Sequence, residues 1–405
     1  MNDYLVPSLL GRASLYGSNA HVPVSSRIVA TLTMHLREDV LCMVMKEAVA
    51  RFPHLAVKVS VSGGDFMFSA YDAFDEHLLM VNICDRSIYF DFNRALADIT
   101  GMMSFVKAVL FRYLELSGCQ VVNDGSVKSL TGSFFTAEAQ DSIMKLDDKQ
   151  ASRPVWYMDA KAVNVLGCSG DVQKVAQVRI PMSRIPREFE LMTKEPETFL
   201  IPLISHSIYE AYGDEMSSGE YVVASVQVDL RPYFPSPSLR PYHTPVYIAY
   251  NRNICEYPYR TVQMSQKKLL EAQLKTDALV YSAQKQIAEL DKALSGNDMS
   301  ERKRKVAALM EKTAGMATYE VYKMGNVMMP DSMQRYITEL YPVMPCGAYA
   351  CAVTLVAYRG DIFATFTGGD RLRNIADRFV SLLEDNDIQA FVADEYDFVP
   401  LQGIE

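Results

Sequence analysis

The chain has 405 residues, 49% of them apolar and 22% charged, and a formal net charge of −9. That length exceeds one ordinary hydrophobic core and predicts two domains or lobes of a globular protein. The acidic balance argues against a nucleic-acid binder and against polybasic attachment to a membrane surface.

The opening "MNDYLVPSLLGRASLYG" is too polar for a secretory leader, and no run approaches the roughly 18 apolar residues of a membrane-spanning helix. "RIVATLTMHL" (27–36) alternates, so Ile28, Ala30, Leu32, Met34 and Leu36 are expected on one face of a strand. In the next segment Leu41, Val44, Met45, Ala48 and Phe52 recur at helical spacing until Pro53. "AVKVSV" and "DFMFSA", split by Ser62-Gly63-Gly64, read as a hairpin, and "LLMVNIC" and "SIYFDF" read as a second. "FDFNRALADITGMMSF" (90–105) then leaves a strand end through a turn into a helix reaching about Leu116, with Met102, Phe105, Val106, Val109, Leu110 and Tyr113 on its buried face.

Residues 119–160, with Trp156-Tyr157, read as an irregular crossing segment. Strand character restarts near 174, and "PETFLIPLISHSIYEAYG" (196–213) reads as an apolar helix. A strand, a proline-rich loop and a second strand follow in "YVVASVQVDLRPYFPSPSLRPYHTPVYIAY". Residues 260–314 predict two solvent-facing charged helices broken at "SGND", without persistent heptads. Strands are expected at 318–324, 348–358 and 361–367, and a terminal helix at "DRLRNIADRFVSLLE". The order predicts an α+β fold of two lobes, 1–165 and 166–405, each a mixed sheet covered by helices.

Seven scattered cysteines (Cys42, Cys84, Cys119, Cys168, Cys255, Cys346, Cys351), with no Cys-x-x-Cys, read as reduced cytoplasmic thiols. No His/Cys/Asp/Glu spacing suits zinc or calcium, and neither a nucleophile elbow nor a phosphate-binding P-loop occurs.

Several stretches together resemble the acyl-thioester-dependent acyltransferase superfamily: chloramphenicol acetyltransferases, condensation domains of nonribosomal peptide synthesis, and alcohol acetyltransferases. The bacterial alcohol-acetyltransferase-like branch is the most similar. They are "SRIVATLTMHLREDVLCMVMKEAVARFPHLAVKV", "RALADITGMMSFVKAVLFRYLELSG", "VQVDLRPYFPSPSLRPY" and "YKMGNVMMPDSMQRYI". The resemblance implies two chloramphenicol-acetyltransferase-like lobes with an active-site tunnel between them. It implies transfer of an acyl group from a coenzyme A or carrier-protein thioester to a hydroxyl or amine, with no permanently bound cofactor. The family motif, usually His-His-x-x-x-Asp-Gly, falls on Asn93, Arg94, Asp98 and Ile99, with Gly101 matching a further family glycine. A Ser-Asn pair of the second lobe falls on Tyr322 and Lys323, and the Asp-Phe-Gly-Trp-Gly motif has no counterpart.

In that family the second histidine is the general base and the aspartate holds the loop in shape. Arg94 cannot take the base's role, because a guanidinium keeps its proton. Two uses remain open: stabilising an oxyanion or clamping a carboxylate or phosphate, or pairing with Asp98 or another acid and filling the channel. Asp98 is structural either way, with Arg94 or Arg231 as its partner. Of the histidines (His21, His35, His54, His77, His206, His243), His243 in the second-lobe loop is the leading substitute base. His206 and Glu210 share a helical face, and His54 reads as a turn residue. The turn "TGGDRLRN" is a weak anion-site candidate. An enzyme with altered catalysis and an inactive ligand- or partner-binding homologue both fit this pattern.

Overall fold

The computed structural model describes residues 5–18, 25–70, 78–147, 151–154, 161–163, 172–217, 219–255 and 257–400. Trp156, Tyr157, Cys168, His21 and His77 lie outside them. The first half runs α1 (Leu9–Gly17), β1 (Ser25–Leu32), α2 (Glu38–Arg51), β2 (Val57–Ser62), β3 (Asp65–Ala70), β4 (Leu79–Cys84), β5 (Ser87–Asn93) and α3 (Ile99–Leu116). The second continues with β6 (Gln173–Pro181), α4 (Pro196–Tyr212), β7 (Val222–Asp229), β8 (His243–Tyr250), α5 (Arg252–Cys255), α6 (Tyr259–Gln273), α7 (Thr276–Leu294) and α8 (Met299–Ala314). It closes with β9 (Tyr319–Asn326), α9 (Asp331–Gln334), β10 (Ile337–Val343), β11 (Cys351–Tyr358), β12 (Asp361–Gly368), α10 (Leu372–Glu384) and β13 (Phe391–Phe398).

Two main sheets form two α+β lobes: a four-stranded sheet in the order β10-β1-β5-β4, and a seven-stranded one in the order β13-β6-β12-β11-β9-β7-β8. β11 lies inside the larger sheet and all its residues, "CAVTLVAY", are buried, as expected for a strand covered on both faces. α4 and α10 pack on each other and against this sheet, while α2 and α3 pack together beside β1. β10 comes from the second half of the sequence yet pairs antiparallel with β1, from Arg27 opposite Val343 to Leu32 opposite Ile337. The lobes therefore share a strand as well as an interface.

Four expectations are corrected. β1 stops at Leu32, where its register with β10 slips, so Met34 and Leu36 are not strand residues. Residues 260–314 hold three helices, because the chain also breaks at Leu274 and Lys275. α7 is not solvent-facing throughout: Leu279, Val280, Ala283 and Ile287 are buried against the rest of the chain. The helix at α10 is not terminal, since β13 follows it and pairs with β6.

His54 does form part of a turn, but it is 0% exposed and neither ring nitrogen has a hydrogen-bond partner among the described residues. Burial, reinforced by the cations Arg240, Arg51 and Lys128, pushes its pKa down to about 2. The imidazole therefore stays neutral in the folded chain while an unfolded one takes a proton below about 6.5. Its share of the stability is present above that pH and is lost as pH falls. Going from pH 7 to pH 5, the native protein should lose about 2 kcal/mol relative to a His54→Phe variant. Urea unfolding at the two pH values checks this, and parallel pH slopes for the two proteins would refute it.

Candidate functional site

The β5–α3 turn places the first site residues. Asn93 Oδ1 accepts the Ala95 N–H (2.8 Å) and the Asn93 carbonyl accepts the Leu96 N–H (3.0 Å), so the chain bends directly after the strand. Ala95, Leu96 and Ala97 are buried and anchor the turn. Asp98 then caps α3, its Oδ1 accepting the Gly101 N–H at 2.7 Å. A Cβ at Gly101 would stand 2.0 Å from the Leu239 carbonyl oxygen. Only glycine lets the start of α3 touch the 230–242 loop of the other lobe.

Asp98 Oδ2 reaches into that loop, accepting from Arg231 Nη1 (2.9 Å) and the Tyr242 N–H (2.8 Å). Arg231 also donates to Asp229 (2.8 Å), to the Ser238 carbonyl (2.9 Å) and to the Arg240 carbonyl (2.8 Å). Of the two arginines the sequence offered, Asp98 takes Arg231. Burial works against the Arg231 charge, but Asp98 and Asp229 outweigh it and hold its pKa above the ordinary value. The Asp229 carboxyl is pushed up by burial, against the pull of Arg231.

Arg94 points across the lobe junction instead. Its Nη1 donates to Tyr322 Oη on β9 (2.8 Å), and Tyr322 donates to Glu320 Oε2 (2.6 Å). Gln227 Nε2 on β7 donates to Glu320 Oε1 (2.8 Å). Parallel pairing of β7 with β9 sets Ser225 beside Glu320 and Gln227 beside Tyr322, which aligns this chain of groups. Burial opposes the Arg94 charge, yet Tyr322 and Glu320 keep its pKa above the ordinary value. The same burial pushes the Glu320 carboxyl upward.

These groups line one cavity of about 280 Å³ between the lobes. Residues of α1, α7, α8 and β9 and of the segment from Met344 to Tyr349 also line it. His243, the first residue of β8, lies on the wall opposite Asp229 in register. Its Nδ1 is buried without a hydrogen-bond partner among the described residues. Burial, then Arg231 and Arg94 against an opposing pull from Asp98, pushes its pKa down to about 4. The imidazole is therefore neutral at pH 7.

The cavity brings together Arg94, Asp98 and His243 with Tyr322 and Lys323, the latter ion-paired with Glu197. His206 is not among its lining residues; its ring nitrogens meet Tyr250 Oη (2.5 Å) and Glu210 (2.8 Å). Sequence reasoning missed Glu320, Gln227 and Asp229. The available signal was a glutamate inside the apolar run "TYEVYKMG", sharing a strand face with Tyr322 at the two-residue period. Among the described residues no group of three or more His, Cys, Asp or Glu side chains is arranged to hold a metal ion. No described helix is long and apolar enough to cross a membrane.

No protein-family model matches the chain, and no curated protein does. Solved structures match over nearly its whole length. TRI101 of F. sporotrichioides, complexed with coenzyme A and T-2, superposes with TM-score 0.60 at 11% identity, covering 95% of this chain and 99% of that one. The first condensation domain of the CDA synthetase gives 0.59 at 13% identity, covering 94% and 95%. Polyketide synthase associated protein 5 from Mycobacterium tuberculosis gives 0.59 at 12%, covering 92% and 98%. The chain has the two-lobed α+β fold shared by chloramphenicol-acetyltransferase-like acyltransferases and condensation domains, with the cavity in the cleft between the lobes.

Proposed function

We propose that this chain is an acyltransferase homologue of the alcohol-acetyltransferase-like type that retains its tunnel for binding a ligand or acyl thioester and transfers acyl groups slowly at most. One observation carries the reading. The side chain at the family's base position is Arg94, a permanent cation fixed across the lobes to Tyr322. No proton can be passed to it, and loss of general-base catalysis removes about 10²- to 10⁴-fold in rate. Positioning and electrostatic stabilisation do not need a proton acceptor and survive the exchange. The fold's occurrence in a protein complexed with coenzyme A makes acyl-coenzyme A the first donor to try.

The second reading is transfer with His243 as base, favoured by the residue's place on the cavity wall and by a buried Nδ1 without a partner among the described residues. A pKa of about 4 leaves the imidazole free to accept a proton at neutral pH but makes it a weak base. Thiol release from acetyl- and octanoyl-coenzyme A, with a panel of alcohols and amines, separates the two. Saturable thioester binding with thiol release close to the buffer rate supports the first reading. Brisk turnover that disappears in His243→Ala establishes the second.

A further inference from the structure

We propose that the cavity's preferred ligand is an aliphatic monocarboxylate, its carboxylate forked onto the Arg94 guanidinium and its chain lying among Ile99, Met324 and Met344. The proposal deepens the reading of a tunnel kept for binding, and rests on it. A guanidinium has five N–H donors in a planar fork. Among the described residues the structure accounts for one, the bond from Nη1 to Tyr322, and leaves Nε buried without an acceptor. A half-buried guanidinium with a buried, unbonded Nε is costly unless something else supplies oxygen. A carboxylate offers two coplanar acceptors that match the fork.

The surroundings choose between anions. Asp98 and Asp229 are both held by Arg231, and Lys323 by Glu197, so these charges already have partners. Asp98 and Asp229, both on the cavity wall, make the same space hostile to a dianion such as phosphate. Burial raises the Glu320 carboxyl, which weakens it as an internal counter-ion for Arg94. His243, neutral and without a hydrogen-bond partner at Nδ1 among the described residues, can add one further N–H to a bound oxygen. Ile99, Met324 and Met344, which pack around Tyr322, supply an apolar and adaptable wall to the same cavity.

Isothermal titration of the full-length protein with octanoate, octanol and octyl phosphate tests this. Octanoate should bind about 10- to 100-fold more tightly than octanol, the range expected for hydrogen bonds to a charged group. Octyl phosphate should be weaker than octanoate. In Arg94→Gln the octanoate preference over octanol should disappear while octanol affinity persists. Equal affinity of the native protein for octanoate and octanol, no octanoate binding, or tighter binding of octyl phosphate would each overturn the proposal. The native comparison needs no variant to fold. It is also separable from the reading beneath it: rapid thiol release would sink that reading and leave carboxylate selectivity intact.

Discussion

Arg94→His is expected to raise thiol release from acyl-coenzyme A by about 10²-fold or more when a suitable alcohol or amine is present, the lower end of what a positioned general base supplies. The frame for that base is already in place. The β5–α3 turn is held by the Asn93 bonds and by Asp98, and neither depends on the Arg94 side chain. Glu320, which loses a nearby cation in the variant, is a carboxyl whose burial already favours the neutral form, and Gln227 still donates to it. Arg94→Gln is the control: it removes charge and bulk without supplying a base, and should stay silent. A gain in the histidine variant alone identifies the missing proton acceptor as the defect. If both variants stay silent while binding the thioester normally, the loss of transfer lies elsewhere in the tunnel.

What the sequence made legible follows from which forces are local. α2, α3 and α10 announce themselves because one face of each must be apolar at helical spacing, and β11 because it is apolar except for Thr354. β13, "FVADEYDF", escaped prediction because it is an edge strand with mostly exposed, acidic residues. Backbone pairing with β6 orders it, and only Val392, Tyr396 and Phe398 reach the core, a short alternation interrupted by Asp394 and a register shift. β10 carries Pro342 and belongs to a sheet whose other strands lie near the start of the chain. In α7 the charged residues mask a buried stripe. The turn carrying Arg94 and Asp98 was readable as a turn into a capped helix, since a cap after a strand end is a local signal. The partner of Arg94 was not readable, because Tyr322 lies 228 residues away and is delivered by the pairing of β7 with β9.

The same distinction governs the role of Asp98, which joins a local cap to a long-range bond. Removing its carboxylate should cost about 3 kcal/mol of stability, within what breaking a buried ion pair and losing a helix cap together produce. Asp229 and two backbone carbonyls still hold Arg231, which keeps the cost below that of an abandoned charge. The informative comparison is Asp98→Asn against Asp98→Ala. The native carboxylate accepts from three donors: the Gly101 N–H on Oδ1, and Arg231 Nη1 and the Tyr242 N–H on Oδ2. An amide has one oxygen and one donating nitrogen. Whichever way it is turned, the nitrogen faces a donor. The Asp98→Asn variant would therefore gain little over Asp98→Ala, although asparagine is among the best helix caps in isolation. Urea denaturation should place both variants about 3 kcal/mol below the native protein, within the range for a broken buried pair, with octanoate binding weakened as the two lobes loosen at Gly101 and Leu239. An asparagine variant within about 0.5 kcal/mol of native stability, the scatter of an ordinary surface substitution, would show that Asp98 acts as a cap alone and that the Arg231 bond contributes nothing to holding the lobes together.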